Sequence, residues 1–372
     1  MAISTIGTNS LSDPIAVNGY TPTASNMQPF NRIINGAMTI DQRNAGAAVT
    51  PAHGGWTLDR WECFNNPGGK FSVQQNAGSV TPPAGFANYF GVTSLSSYTV
   101  TGGETFTINT KIEGFNFSDM AWGTASATPI TLSFWVRSSL TGTFGGALRN
   151  SSDTRSYPFA YTINSPTTWE YKTITISGDT TGTWVGATNG VGLRLHIGLG
   201  VGPTYSGTAG AWAAANYVSA TGATSVVGTS GATFYITGVQ LEAGSTASPF
   251  AHENYGDTLR KCQRYYQKYT FSGGGVITIG ECTSTSAVVG SFQLNQEMRT
   301  SPSITIPSAG ATGMSFLTAD GSWPSAFGSI SVSNISNINF KFSQSGAGGY
   351  SLGNASWLYP ANYVNILANA EL

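Results

Sequence analysis

Residues 131–137, Thr-Leu-Ser-Phe-Trp-Val-Arg, constrain the fold more than any other stretch of this chain. Successive side chains of a strand point to opposite faces, so Leu132, Phe134 and Val136 share one side and Thr131, Ser133, Trp135 and Arg137 the other. The first side is core. The same two-residue period returns in residues 169–177, where Trp169, Tyr171, Thr173 and Thr175 oppose Ile174 and Ile176. It returns again in residues 191–199, with Leu193, Leu195 and Ile197 inward and Arg194 and His196 outward, where solvent exposure is expected. Residues 234–242 change phase at Gly238, and a β-bulge there restores Phe234, Ile236, Val239 and Leu241 to one face. Gly, Pro, Asn and Asp punctuate these runs at sandwich-like intervals, with no helical periodicity between them. The sequence predicts an all-β chain whose residues 30–253 form a jelly-roll β-sandwich. Within it Gly198–Gly231, rich in Gly, Ala, Thr and Ser, is a long loop or a pair of weak strands that covers a sheet edge or meets a neighbouring subunit.

Charge is scarce. The 372 residues include 16 Lys and Arg and 17 Asp and Glu, 9% of the chain against 12% aromatic, where about a quarter charged is ordinary. No basic footprint is present to neutralise phosphates, so nucleic acid and anionic membrane are not expected partners. The aromatic and β-branched content also excludes disorder as a general state. No stretch approaches the roughly 20 apolar residues of a membrane helix. The first positive charge is Arg32 and no continuous apolar run precedes Val17, so no secretory leader is expected. Cys63, Cys262 and Cys282 fit neither a zinc site nor a disulfide framework and read as buried free thiols of a chain made in a reducing compartment.

Around the sandwich the sequence predicts three further pieces. Residues 1–29, with Pro14, Pro22 and a single charge at Asp13, form an extended arm, either disordered or laid against a partner's sheet. Residues 254–270 form a helical connector with Asp257 as N-cap. Its Leu259, Cys262, Tyr266 and Tyr269 make an apolar stripe that either lies on a domain boundary or meets two copies of itself on a three-fold axis. Residues 271–372 form a smaller β domain with strands near 276–279, 287–294, 303–306, 329–332, 338–342 and 363–367. Few charges remain there to keep copies apart.

Specific blocks then carry a resemblance. NRIINGAMTIDQRNAG (31–46), WTLDRW (56–61) and FYITGVQLEAGSTASPF (234–250) resemble the opening and close of a carbohydrate-binding-module-like jelly roll in bacteriophage tail fibres and other virion-surface proteins. LRKCQRYY (259–266) and MRTSPSIT (298–305) are similar to the C-terminal region of the same proteins. The resemblance covers residues 31–306. It implies a homotrimer on the virion exterior, assembled in the host cytoplasm, with the arm anchored to other virion proteins.

Catalytic groups do not converge in the sequence. His53, His196 and His252 are isolated, with no paired metal spacing. Glycoside hydrolysis needs two flanking carboxylates, and nothing pairs Asp59, Glu62, Glu104, Glu113, Asp119, Glu170 and Glu242; Glu242 reads as a strand end with a structural hydrogen bond. No short repeat marks a parallel β-helix. The Gly-rich pieces are turns, not phosphate loops. No cofactor is expected, although jelly rolls like the one resembled often hold a structural calcium ion.

Sugar recognition needs flat aromatic faces with neutral donors, and the candidates are Trp135 and Arg137 on the sandwich and Trp323, Tyr350, Trp357 and Tyr359 in or near loops of the C-terminal domain. Each has an alternative as interior or subunit-contact packing. The expected protein is a non-enzymatic tail fibre or receptor-binding protein recognising a host-surface glycan. A capsid fibre or decoration protein is the alternative, and a polysaccharide-degrading tailspike the third possibility.

Overall fold

The computed structural model describes residues 31–273, 275–306, 314–318, 324, 329–360 and 363–372; the arm, 1–29, and Trp323 lie outside them. The chain divides into two compact units, one ending at Glu253 and the other Asn254–Leu372.

The first unit is a β-sandwich of jelly-roll type. One sheet orders its strands Gly55–Trp56, Glu62–Asn66, Thr105–Glu113, Val191–Val201, Gly142–Arg149 and Ser156–Ile163, and the other Phe71–Gln75, Phe90–Ser94, Thr233–Ala243, Ile130–Ser138 and Glu170–Ile176. All pairings within these two sheets are antiparallel. The alternation predicts the packing: Leu132, Phe134 and Val136 are fully buried, as are Leu193, Leu195 and Ile197 from the opposing sheet. Burying one such side chain contributes about 1.5–3 kcal/mol. Gly238 takes φ 60° at a register shift between Thr237 and Gln240, and Phe234, Ile236, Val239 and Leu241 all reach the core. The bulge expected there is present.

Outside the six-stranded sheet, the excursion after Val201 forms a two-stranded parallel pair, Ser206–Gly207 with Ser219–Ala220. It lies directly on the sheet because Gly145 and Gly198 lack side chains: a Cβ at either would stand 2.6 or 2.7 Å from Ser219 Oγ. One expectation changes on this sheet. His196 points outward from its strand yet is 1% exposed, held against Asn109 and the Phe64 ring.

The second unit pairs Tyr266–Phe271 and Ser303–Thr305 on either side of Val364–Asn369. A six-stranded antiparallel sheet follows the order Met314–Leu317, Ala355–Pro360, Thr278–Ser284, Ala287–Gln293, Asn339–Ser345 and Ser329–Ser333. Phe316, Phe340, Phe342, Leu358 and Ile366 form its core. The helix is shorter than the expected 254–270, running Tyr255–Gln263 with Asn254, not Asp257, at its N-cap. Tyr266 and Tyr269 belong to the strand that follows, where Tyr-Gln-Lys-Tyr-Thr-Phe, with three aromatics and a β-branched residue, suits a pleated surface better than a helix. The proposed stripe is therefore divided between two elements. Cys262 and Tyr266 are buried within this unit, Leu259 and Tyr269 half-buried, and Tyr269 packs edge-on against Phe292 at 4.9 Å. All three cysteines are free and buried, and burial pushes the Cys63 thiol up to about 12.

Candidate functional site

The outer side of the five-stranded sheet carries the side chains that alternate away from the core. Strand pairing sets Trp135 between Thr237 and Tyr171, and Arg137 beside Tyr235. The rings of Trp135 and Tyr171 lie 5.4 Å apart. Tyr171 is 44% exposed, Trp135 is half-buried, and Thr173 and Thr175 on the same edge strand are exposed. Together they make an open aromatic strip bordered by neutral hydroxyls.

The rest of this face is closed. Tyr89 packs against Trp169 at 5.6 Å and Tyr235 at 5.1 Å, and the Arg137 guanidinium sits 5.5 Å from the Tyr235 ring centroid while its Nε donates to the Thr167 carbonyl. Trp169 Nε1 donates to the Thr81 carbonyl. Arg137 therefore braces the strip from one end. At the other, Glu242 ends the strand as expected, its carboxylate accepting from the Ser248 hydroxyl and amide at 2.6 and 2.8 Å. Tyr171 joins Trp135 in the open strip, and Arg137 and Trp169 form its closed border. Their signal was present in the same alternation, but only strand pairing puts residues 135 and 171 side by side.

The C-terminal candidates separate. Tyr350 is 4% exposed, its hydroxyl donating to the Phe316 carbonyl at 2.8 Å, and burial raises its phenol to about 12. It is a core residue, because a Gly-rich turn folds it under the sheet rather than displaying it. Trp357 and Tyr359 lie on the strand Ala355–Pro360, not in a loop, two residues apart on one face and both half-buried. Trp357 pairs with Ile279 on one side and Leu317 on the other, and Ile279 is 61% exposed. This second row is more aliphatic than the first.

Several carboxylates with the chemistry for hydrolysis hold structural contacts. Asp59 accepts from the Gln42 backbone and side chain, Asp119 receives Arg32 in bidentate fashion at 2.7 Å, and Glu104 accepts from Tyr98 Oη and the Thr101 amide. At Glu170 burial opposes ionisation, but the Lys172 ammonium and the Ser165 and Asn164 amides outweigh it and hold the carboxyl at about 2. Among the described residues no group of three His, Cys, Asp or Glu side chains is placed to hold a metal ion.

No protein-family model and no curated protein matches the chain. Among solved structures, a family 4 carbohydrate-binding module matches at TM-score 0.28 and 13% identity, covering 56% of this chain and 98% of that one. A family 11 module from Clostridium thermocellum, in complex with a mixed-linked tetrasaccharide, matches at TM-score 0.25 and 10% identity, covering 54% and 98%. The enzymatically active domain of tailspike protein 4 of bacteriophage CBA120 matches at TM-score 0.30 and 10% identity, covering 57% of this chain and 21% of the tailspike chain.

Proposed function

We propose that this chain is a glycan-recognising protein of a bacteriophage exterior, a tail fibre or receptor-binding protein working as a homotrimer. The observation that carries glycan recognition is the open strip of Trp135 and Tyr171 flanked by Thr173 and Thr175. A pyranose ring offers an apolar face to stack on an aromatic ring and hydroxyls for neutral partners, and such a site needs no charge. The virion setting rests on the resemblance of the sequence blocks between residues 31 and 306. Several trimers per particle would multiply a weak single-site affinity. The role is binding without hydrolysis, since the candidate carboxylates serve structural contacts.

Binding of the purified chain to host cells and isolated host polysaccharide tests this reading. The wild type binds and competes with intact particles, whereas a Trp135→Ala, Tyr171→Ala double variant that still folds does not; release of oligosaccharides during the incubation would overturn the non-enzymatic assignment. The row of exposed Ile279 with half-buried Trp357 and Leu317 favours a second reading, a capsid fibre or decoration protein built on contacts between copies. Electron microscopy of labelled particles separates the two, because label confined to the capsid removes the tail-fibre role.

A further inference from the structure

The strip of Trp135 and Tyr171 is walled on three sides. At one end, residues 77–81 pass over the outer side of the five-stranded sheet. The Tyr89 hydroxyl donates to the Ala77 carbonyl at 2.5 Å and accepts from the Val80 amide at 2.9 Å, and a Cβ on Gly78 would stand 3.0 Å from Tyr235 Oη. Tyr89 and Tyr235 are buried there. The cover reaches the edge strand at Trp169, whose Nε1 donates to the Thr81 carbonyl at 2.9 Å.

Residues 244–251 close the other end. Thr131 Oγ1 donates to the Gly244 carbonyl at 2.9 Å, and on the edge strand Thr175 Oγ1 donates to the Ser245 carbonyl at 3.1 Å. Gln240 Oε1 accepts from the Ala251 amide at 2.8 Å. This cover also extends from the strand Thr233–Ala243 to the edge. The third side is aromatic. The Phe86 ring lies against Gly238, where a Cβ would stand 2.6 Å from it, one residue past Thr237, the cross-strand partner of Trp135. Phe86 packs on Phe250 and His252 at 5.1 and 5.2 Å. Phe86 continues the chain of the first cover and Phe250 belongs to the second, so the two meet behind Trp135. Thr237 is buried between them, its hydroxyl donating to the Asn88 carbonyl at 2.6 Å.

The fourth side is the sheet edge. Glu170–Ile176 is the edge strand, and Tyr171 and Thr173 are exposed on it. Along that strand Trp169 and Thr175 stand about 20 Å apart, and across the sheet the strand Thr233–Ala243 lies two strand spacings away, about 10 Å. A sugar residue within a chain advances by roughly one strand spacing. A long glycan laid along the strands therefore runs into both covers, and one that crosses them stops at Phe86 after about two rings. The strip is a shelf with one entrance.

We infer that this shelf takes the free end of a glycan: the terminal one or two sugars of a chain or branch enter over Tyr171 and stack on Trp135, and the rest of the chain stays in solvent beyond the sheet edge. The inference rests on the glycan-binding reading of the strip and narrows its ligand from a saccharide in general to a chain terminus.

The test is calorimetric titration of the full chain with polysaccharide isolated from susceptible host cells, cut by partial acid hydrolysis and sorted by length. Affinity reaches its plateau at two residues, with six-residue fragments binding within about threefold of the best two-residue fragment, and saturation never exceeds one protomer per terminal residue. Affinity that keeps climbing from two residues to six, or several protomers on one unbranched fragment, overturns the terminus assignment and leaves the strip a mid-chain site. No binding, or binding unchanged in the Trp135→Ala, Tyr171→Ala double variant, overturns the terminus assignment together with the glycan-binding reading beneath it. Tyr171→Ala alone repeats that comparison should the double variant fail to fold.

Discussion

The rings of Trp135 and Tyr171 lie 5.4 Å apart on adjacent antiparallel strands, tilted by 49°. The two rings pack on each other, so the sugar proposed for this strip would meet a surface ordered before it arrives. Tyr171→Ala is expected to weaken binding of the host polysaccharide about tenfold, or about 1.4 kcal/mol. Because Tyr171 is 44% exposed, the melting temperature changes little. Calorimetric titration beside a thermal melt separates the two effects.

Gly238 supplies a second test. Its φ is 60°, and an added Cβ would stand 2.6 Å from the Phe86 ring. Gly238→Ala should lower unfolding free energy in urea by about 1–3 kcal/mol, from backbone conformation and steric contact together. Adding Phe86→Ala relieves the steric part; a double variant no better than additive would remove Phe86 from the explanation.

His196 makes stability depend on pH in a definite direction. The unfolded side chain titrates near 6.5 and the folded one well below, so between those values the unfolded chain binds the additional proton. Stability is complete above about 6.5 and falls with acidification by up to about 1.4 kcal/mol per pH unit. His196→Gln should flatten that window in urea titrations at a series of pH values, with a lower plateau at neutral pH.

Asp179 acts in a more acid window. Its side chain is 2% exposed and receives Arg155 at 2.6 and 2.8 Å. Burial raises its pKa, but Arg155 and the Thr181 amide outweigh this and hold it below the ordinary value. The resulting stability is present above about 3.9, the unfolded value, and is lost as pH falls through the folded one. Asp179→Asn strands a guanidinium and should cost about 3–5 kcal/mol at neutral pH, read by denaturant unfolding.

Tyr350→Phe distinguishes a core tyrosine from a recognition residue. Removing the hydroxyl that donates to the Phe316 carbonyl should cost about 1 kcal/mol and leave polysaccharide binding unchanged. A loss of binding with stability intact would return Tyr350 to the recognition surface.

Period-two alternation located the inward residues of the sandwich, because burial on one face leaves a pattern in a single strand. It also located the Gly238 bulge, where the phase breaks. The spacing of Cys262, Tyr266 and Tyr269, four and then three, fits a helical period, and only the pairing of Tyr266–Phe271 with Val364–Asn369 makes the two tyrosines part of a strand, where they lie on opposite faces. His196 lies on the outward face that its alternation gives, but Asn109 and Phe64, both distant in sequence, cover it there. The neighbours of Trp135 were hidden for the same reason: cross-strand partners 36 residues apart, as Trp135 and Tyr171 are, leave no local mark.

The strand Val364–Asn369 lies between Tyr266–Phe271 and Ser303–Thr305. During synthesis both flanking strands leave the ribosome long before the one that joins them. Until residue 369 emerges, their inner edges stay open and available to any extended chain nearby, including another copy. Closure of this unit is thus a late event, and shortening the chain by this one strand would leave two open edges rather than a slightly smaller domain.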